Sequence, residues 1–137
     1  MPRRPSSQPT EAELEVLNVL WRRGPSTVRE VHETLQADRQ TSLTTTLKIL
    51  QVMTDKGLAV RDSEAYPHRY RAAQPEAETQ AGLLNDLVCR AFDGSVGKLV
   101  LRAVEEGRLS RTELGEIQDL IDDQRKHQRR PQGRTGR

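Results

Sequence analysis

Apolar residues recur along this chain at three- and four-residue steps, interrupted once by a short stretch of two-residue alternation. The first ordered element is expected at Thr10, because Thr10 and Glu13 match a capping box, in which each side chain satisfies a backbone N–H of the other residue. Leu14, Leu17, Leu20 and Trp21 then form one buried stripe, and Gly24-Pro25 stops the helix after Arg23. A second helix follows at once: Ser26 or Thr27 caps it, Thr27 and Glu30 make another capping box, and Val28, Val31 and Leu35 are its apolar positions. Beyond a polar turn at Asp38 to Gln40, the segment Thr41 to Lys56 carries the most information. At ~100° per residue, Thr46, Ile49, Leu50 and Met53 fall on one arc, while Thr44, Thr45, Lys48, Gln51, Val52 and Asp55 share the opposite one. Three consecutive threonines are poor helix formers, so their presence on a helix costs stability. Gly57 ends that helix.

From Leu58 to Ala73 the period changes to two: LAVRDS, a turn-like stretch from Glu64 to Pro67, then HRYRAA, which predicts two short antiparallel strands. Three helices followed by a hairpin is the order of a winged variant of helix-turn-helix. Gln74-Pro75 punctuates the chain, and three further helical stretches follow. Leu83, Leu84, Leu87, Val88 and Phe92 line the first, Val96, Leu99, Val100, Ala103 and Val104 the second, and Leu114, Ile117, Leu120 and Ile121 the third, which Ser110 and Glu113 cap. So few residues of thin amphipathic helix do not bury that much apolar surface alone, which predicts a dimerisation module. The expected fold is mainly α: an N-terminal winged helix-turn-helix of three helices plus a β-hairpin wing, and a C-terminal three-helix dimerisation domain. The expected limits are an arm over 1–9, the winged helix over 10–74, the helical domain over 75–124 and a basic, disordered tail over 125–137.

Composition agrees with thin helical layers, at 34% hydrophobic and 3% aromatic residues. The single cysteine, Cys89, has no internal disulfide partner and sits in an apolar stretch, so a small buried hydrophobe in a reducing, cytoplasmic setting is expected. No stretch approaches the ~20 apolar residues of a membrane span, so no direct membrane insertion is expected. The net charge of +2 hides an uneven distribution: residues 11–75 carry nine basic and nine acidic groups, residues 76–123 five against eleven, and residues 124–137 six against none. Such a layout suits a protein that meets nucleic acid with its first unit and tails and turns its acidic block away.

The segments LWRRG, TTTLKILQVMTDKGL, HRYRAA and FDGSVGKLVLRAVEEGRLSRTELGEIQDLI, in that order and spacing from about Thr10 to Asp123, resemble the penicillinase-repressor family. That resemblance implies an N-terminal winged helix, a C-terminal helical dimerisation domain, and repression of operons for antibiotic resistance or envelope stress. It further implies relief of repression by cleavage, triggered by a membrane-bound zinc metalloprotease sensor. The chain departs from the family pattern in four places. Leu43 stands where an aromatic is common and Val52 where an Arg is common; Arg102-Ala103 occupies the position of the Asn-Phe bond cleaved in staphylococcal members; and a lone Cys89 replaces the cysteine cluster of copper-responsive relatives.

On this reading Thr44, Thr45 and Lys48 enter the major groove, the hydroxyls bonding phosphate or base edges and Lys48 reaching phosphate or guanine, with Gln51 an adenine reader. A solvated helix face accounts for the same residues if the helix stands alone. Arg69 and Arg71 flank Tyr70 on the second wing strand and share one side, where they meet phosphate or minor groove or simply water. Thr27 and Arg29 open the second helix, where a backbone phosphate binds well, although capping alone explains Thr27. Trp21 is a core anchor. His32, His68 and His127 have no Cys or acidic neighbour at ligand spacing, no nucleophile–base grouping stands out, and neither metal, cofactor nor enzymatic activity is expected. The expected partners are a double-stranded operator, a second copy of the chain and the protease sensor. The alternative from another class is a helical interaction or adaptor module whose winged unit binds protein.

Overall fold

A computed structural model of the chain describes residues 8–36 and 41–129. The polar turn expected at Asp38 to Gln40, most of the N-terminal arm and the end of the basic tail lie outside these residues. The elements run α1 (Glu11–Arg23), β1 (Ser26–Thr27), α2 (Val28–Leu35), α3 (Leu43–Lys56), β2 (Ala59–Asp62), β3 (Arg69–Ala72), α4 (Glu76–Ala91), α5 (Val96–Glu105) and α6 (Arg111–Arg129). The fold is mainly helical with one small antiparallel sheet, a winged helix followed by a helical C-terminal region.

Local chemistry sets the helix ends. The Thr10 hydroxyl accepts the Glu13 N–H at 3.2 Å and Glu13 Oε1 accepts the Thr10 N–H at 2.9 Å, so α1 starts on its predicted capping box. Thr27 and Glu30 repeat the arrangement at α2, with the same 3.2 and 2.9 Å distances. Helix α3 begins at Leu43, two residues later than expected, because Ser42 is its cap: the Ser42 Oγ accepts the Thr45 N–H at 3.1 Å. Its other end closes on Gly57 at φ 82° and ψ 14°, left-handed backbone that glycine adopts without Cβ strain.

The hairpin forms as expected, β2 pairing antiparallel with β3 from Ala59 opposite Ala72 to Asp62 opposite Arg69. A third strand joins it. Ser26 and Thr27 pair with Tyr70 and Arg69, giving the order β1-β3-β2 and fastening the wing to the start of α2. Two residues, one of which caps a helix, are too short to show any strand period, so β1 was not predictable from pattern.

The core of this first unit collects Val16, Leu17, Val19 and Leu20 of α1, Val31 of α2, Leu50 and Met53 of α3, and Ala59 and Tyr70 of the sheet. Each large side chain buried in this way contributes about 1.5–3 kcal/mol. Trp21 is half-buried at the edge of this cluster, and its Nε1–H donates to the Gln74 carbonyl at 3.0 Å, holding the chain where it leaves the wing.

The chain divides into compact units Met1–Leu87 and Val88–Arg137, with the division inside α4. Within the second unit Val88 is the only buried hydrophobic among the described residues, while Val96, Val100, Leu101, Val104, Leu114, Leu120 and Ile121 are exposed. Cys89 is exposed on α4, contrary to the buried position expected for it. Helix α6 starts on the predicted Ser110–Glu113 box, with both bonds at 3.0 Å, and continues through Arg129, so residues 125–129 of the expected tail are helical. Asp122 precedes Lys126 by four residues, a spacing that favours helix, and cations in a last turn meet the negative end of the helix dipole.

Candidate nucleic-acid interface

Helix α3 separates its two faces as the sequence pattern requires. Thr46, Leu50 and Met53 are buried and Ile49 is half-buried, whereas Thr44, Thr45, Lys48, Gln51, Val52 and Asp55 are exposed. The exposed arc therefore presents hydroxyls, an amide and an ammonium on one rigid support. Among the described residues Lys48 makes no ion pair, so its charge is available to an anion. The Thr45 hydroxyl lies 2.9 Å from that of Ser42, which orients it while leaving it able to make a further bond.

Two tertiary contacts fix how α3 stands. Lys56, its last residue, lies 2.7 Å from Glu13 Oε1, the same oxygen that accepts the Thr10 N–H. Burial pushes the Glu13 carboxyl up, but the Lys56 ammonium and the Thr10 donors outweigh that and hold it below its ordinary value of 4.5. One carboxylate thus caps α1 and pins the far end of α3. On the inner face the His32 Nδ1 of α2 lies 3.3 Å from the hydroxyl of the buried Thr46, and the Thr46 hydroxyl also donates to the Ser42 carbonyl at 3.4 Å. None of these tertiary pairings has a spacing signal in the sequence.

The remaining predicted residues surround the start of α2. Thr27 is buried with its hydroxyl committed to the cap, while Arg29, the second residue of α2, is exposed and forms no ion pair among the described residues. Arg69 and Arg71 are exposed on β3, on the side opposite the buried Tyr70. Arg69 lies 3.6 Å from Glu30, and Arg23 reaches the same carboxylate at 3.7 Å. The Thr27 N–H, opposed by partial desolvation and assisted by Arg69 and Arg23, holds the Glu30 carboxyl below its ordinary range. Arg71 reaches the Ala72 carbonyl at 3.4 Å. So α3 gathers Thr44, Thr45, Lys48 and Gln51, whereas at the α2–wing junction Thr27 and Arg29 stand at the helix start and Arg69 and Arg71 lie on the side of β3 opposite Tyr70.

Sequence reasoning missed a groove at that junction. About 360 Å³ in volume, it lies between the starts of α2 and α3 and the wing turn, with Leu43, Leu47, Tyr66 and Pro67 in its wall and Arg29 at its edge. Tyr66, 91% exposed, meets His68 edge-on at 5.6 Å between ring centres. The exposure of Leu43 and Tyr66 was the only available signal, and exposure is not visible in a linear pattern.

No grouping of three or more His, Cys, Asp or Glu side chains able to hold a metal ion occurs among the described residues, and none of their helices is long and apolar enough to cross a membrane. The chain is 37% identical over 84 residues to the transcriptional regulator BlaI of Mycobacterium tuberculosis strain H37Rv, a match spanning 61% of either chain. It is 23% identical over 113 residues to the methicillin resistance regulatory protein MecI of Mammaliicoccus sciuri, and 22% identical over 113 residues to that of Staphylococcus aureus strain N315. Both matches cover 82% of this chain and 92% of the relative. The penicillinase repressor family matches residues 9–123, from just before the first capping box to the middle of α6, and this chain belongs to that family.

Proposed function

We propose that the chain is a homodimeric, sequence-specific DNA-binding repressor whose two α3 helices read the half-sites of a pseudo-palindromic operator, spaced near one or a few turns of ~10.5 base pairs. The observation that carries this reading is the exposed arc of α3, with Thr44, Thr45, Lys48 and Gln51 held outward by the buried Thr46, Leu50 and Met53. Family membership and the names of the regulators it resembles support the same direction. Gln51 bonds an adenine edge, Lys48 a phosphate or guanine, and the threonine hydroxyls fix register on the backbone. Arg29, Arg69 and Arg71 supply phosphate contacts from the α2–wing junction.

Dimerisation is assigned to the apolar faces of α4, α5 and α6. Leu84, Leu87, Val100, Val104, Leu114, Leu120 and Ile121 are exposed, Leu83, Leu99 and Ile117 are half-buried, and Val88 is buried. Exposed leucine and valine in such number mark a surface that another chain covers. The sequence stripes did not single out Leu101, the most exposed aliphatic of α5 at 64%.

Relief of repression by a membrane-bound metalloprotease sensor follows from the family resemblance. Arg102 and Ala103 are exposed but helical within α5, so cleavage between them requires local unwinding of that helix.

The test is operator binding by Thr45→Ala and Lys48→Ala variants. Lower affinity with unchanged helicity and unchanged dimer is the expected result. If neither change affects binding, α3 is not the reading element.

A further inference from the structure

Helix α3 carries an apolar feature that its hydroxyl and ammonium arc does not use. Leu43 is its first residue and is 37% exposed, one of two aliphatic side chains the helix leaves open to solvent, the other being Val52 at 40%. Leu47, one turn on, is half-buried behind it, and both line the groove closed on the far side by Tyr66 and Pro67 of the wing turn. The groove is continuous with the arc proposed to read DNA, because Leu43 and Leu47 alternate along the same two turns with Thr44 and Lys48. Arg29 at the groove edge forms no ion pair among the described residues, and a phosphodiester strand fits that charge.

The first turn of a recognition helix is the part that reaches base edges. The only apolar group that a base pair presents in the major groove is the 5-methyl of thymine. Leucine has no donor or acceptor, so its contact there selects thymine over cytosine and over any edge that offers only polar atoms.

We propose that Leu43, backed by Leu47 and facing Tyr66 across the groove, receives the 5-methyl of one thymine in each half-site and is a specificity-determining residue. The proposal rests on α3 being the DNA-reading helix. Covering one methyl group contributes about fourfold in affinity per contact, the equivalent of about 0.8 kcal/mol. Leu43→Ala leaves a good helix former at an exposed first position, so the helix is retained.

The experiment uses the full chain and a duplex spanning its footprint upstream of its own gene, with each thymine replaced in turn by deoxyuridine, which lacks only the methyl. The expected result is one position per half-site where deoxyuridine weakens wild-type binding about fourfold, while Leu43→Ala binds the thymine and deoxyuridine duplexes equally. Three outcomes would overturn the proposal. The first is specific binding that Lys48→Ala disrupts but deoxyuridine affects at no position. In the second, Leu43→Ala is weakened equally on every duplex and still loses affinity on methyl removal, which assigns the groove to a sugar edge and leaves α3 as the reader. The third is no sequence-specific binding by the wild-type chain, which removes the underlying reading as well.

Discussion

Among the described residues the first unit buries nine apolar side chains from three helices and a sheet, whereas the second buries Val88 and leaves leucines, valines and an isoleucine facing outward. Both were read from apolar stripes of similar strength. What separates them is closure: in the first unit the stripes of α1, α2 and α3 meet one another and Tyr70, and in the second they do not find enough surface within the chain. Apolar surface that remains open on a folded helix marks the place where the assembly continues. On the proposed reading the first unit carries the reading helix, and the open apolar faces of α4, α5 and α6 carry the association.

Truncating a closed-core residue should produce the largest effect. Leu50→Ala removes a fully buried side chain from the joint of α3 with the core and is expected to cost about 2–5 kcal/mol, read by denaturant unfolding. Unfolding of the first unit with unchanged stability would break the comparison. Next, Val100→Asp places a charge on the open face of α5, and the dimer dissociation constant is expected to rise on the order of a hundredfold by sedimentation. Under the same change the thermal transition of the first unit should not move.

The Glu13–Lys56 pair gives a smaller and pH-dependent effect. The folded carboxyl is held below 4.5, so its contribution to stability is present above that value and is lost as pH falls through the lower folded value. Acidification below pH 4.5 is expected to lower the unfolding midpoint, and Glu13→Gln should flatten that dependence while costing roughly 1–3 kcal/mol at neutral pH. The smallest effect is expected for Thr27→Ala, about 1 kcal/mol from loss of the α2 cap and its support of the wing-bound strand.

Much of the first unit was legible because its signals are local. Thr10–Glu13 and Thr27–Glu30 declared two helix starts, Gly57 declared a stop, and the arcs of Thr41 to Lys56 separated Leu50 and Met53 from Lys48 and Gln51. Strand β1 was not legible because two residues have no period and Thr27 was already explained as a cap. The helical state of residues 125–129 was hidden because they carry no apolar stripe. Cys89 was misplaced because its neighbours Leu87 and Val88 are apolar, although only Val88 turns inward. At the candidate interface the exposed arc could be read from angles alone. The groove beside Leu43, the His32–Thr46 contact and the Lys56–Glu13 pin join residues 14 to 43 positions apart or depend on the wing turn, and no linear spacing reports them.

If α3 reads DNA through its exposed arc, a salt titration of binding to the chain's own upstream DNA will show sequence-specific binding whose affinity falls steeply with salt, and Lys48→Ala will lose affinity about tenfold or more. A stable dimer that binds all duplexes alike, or specific binding indifferent to Lys48→Ala, would contradict that reading.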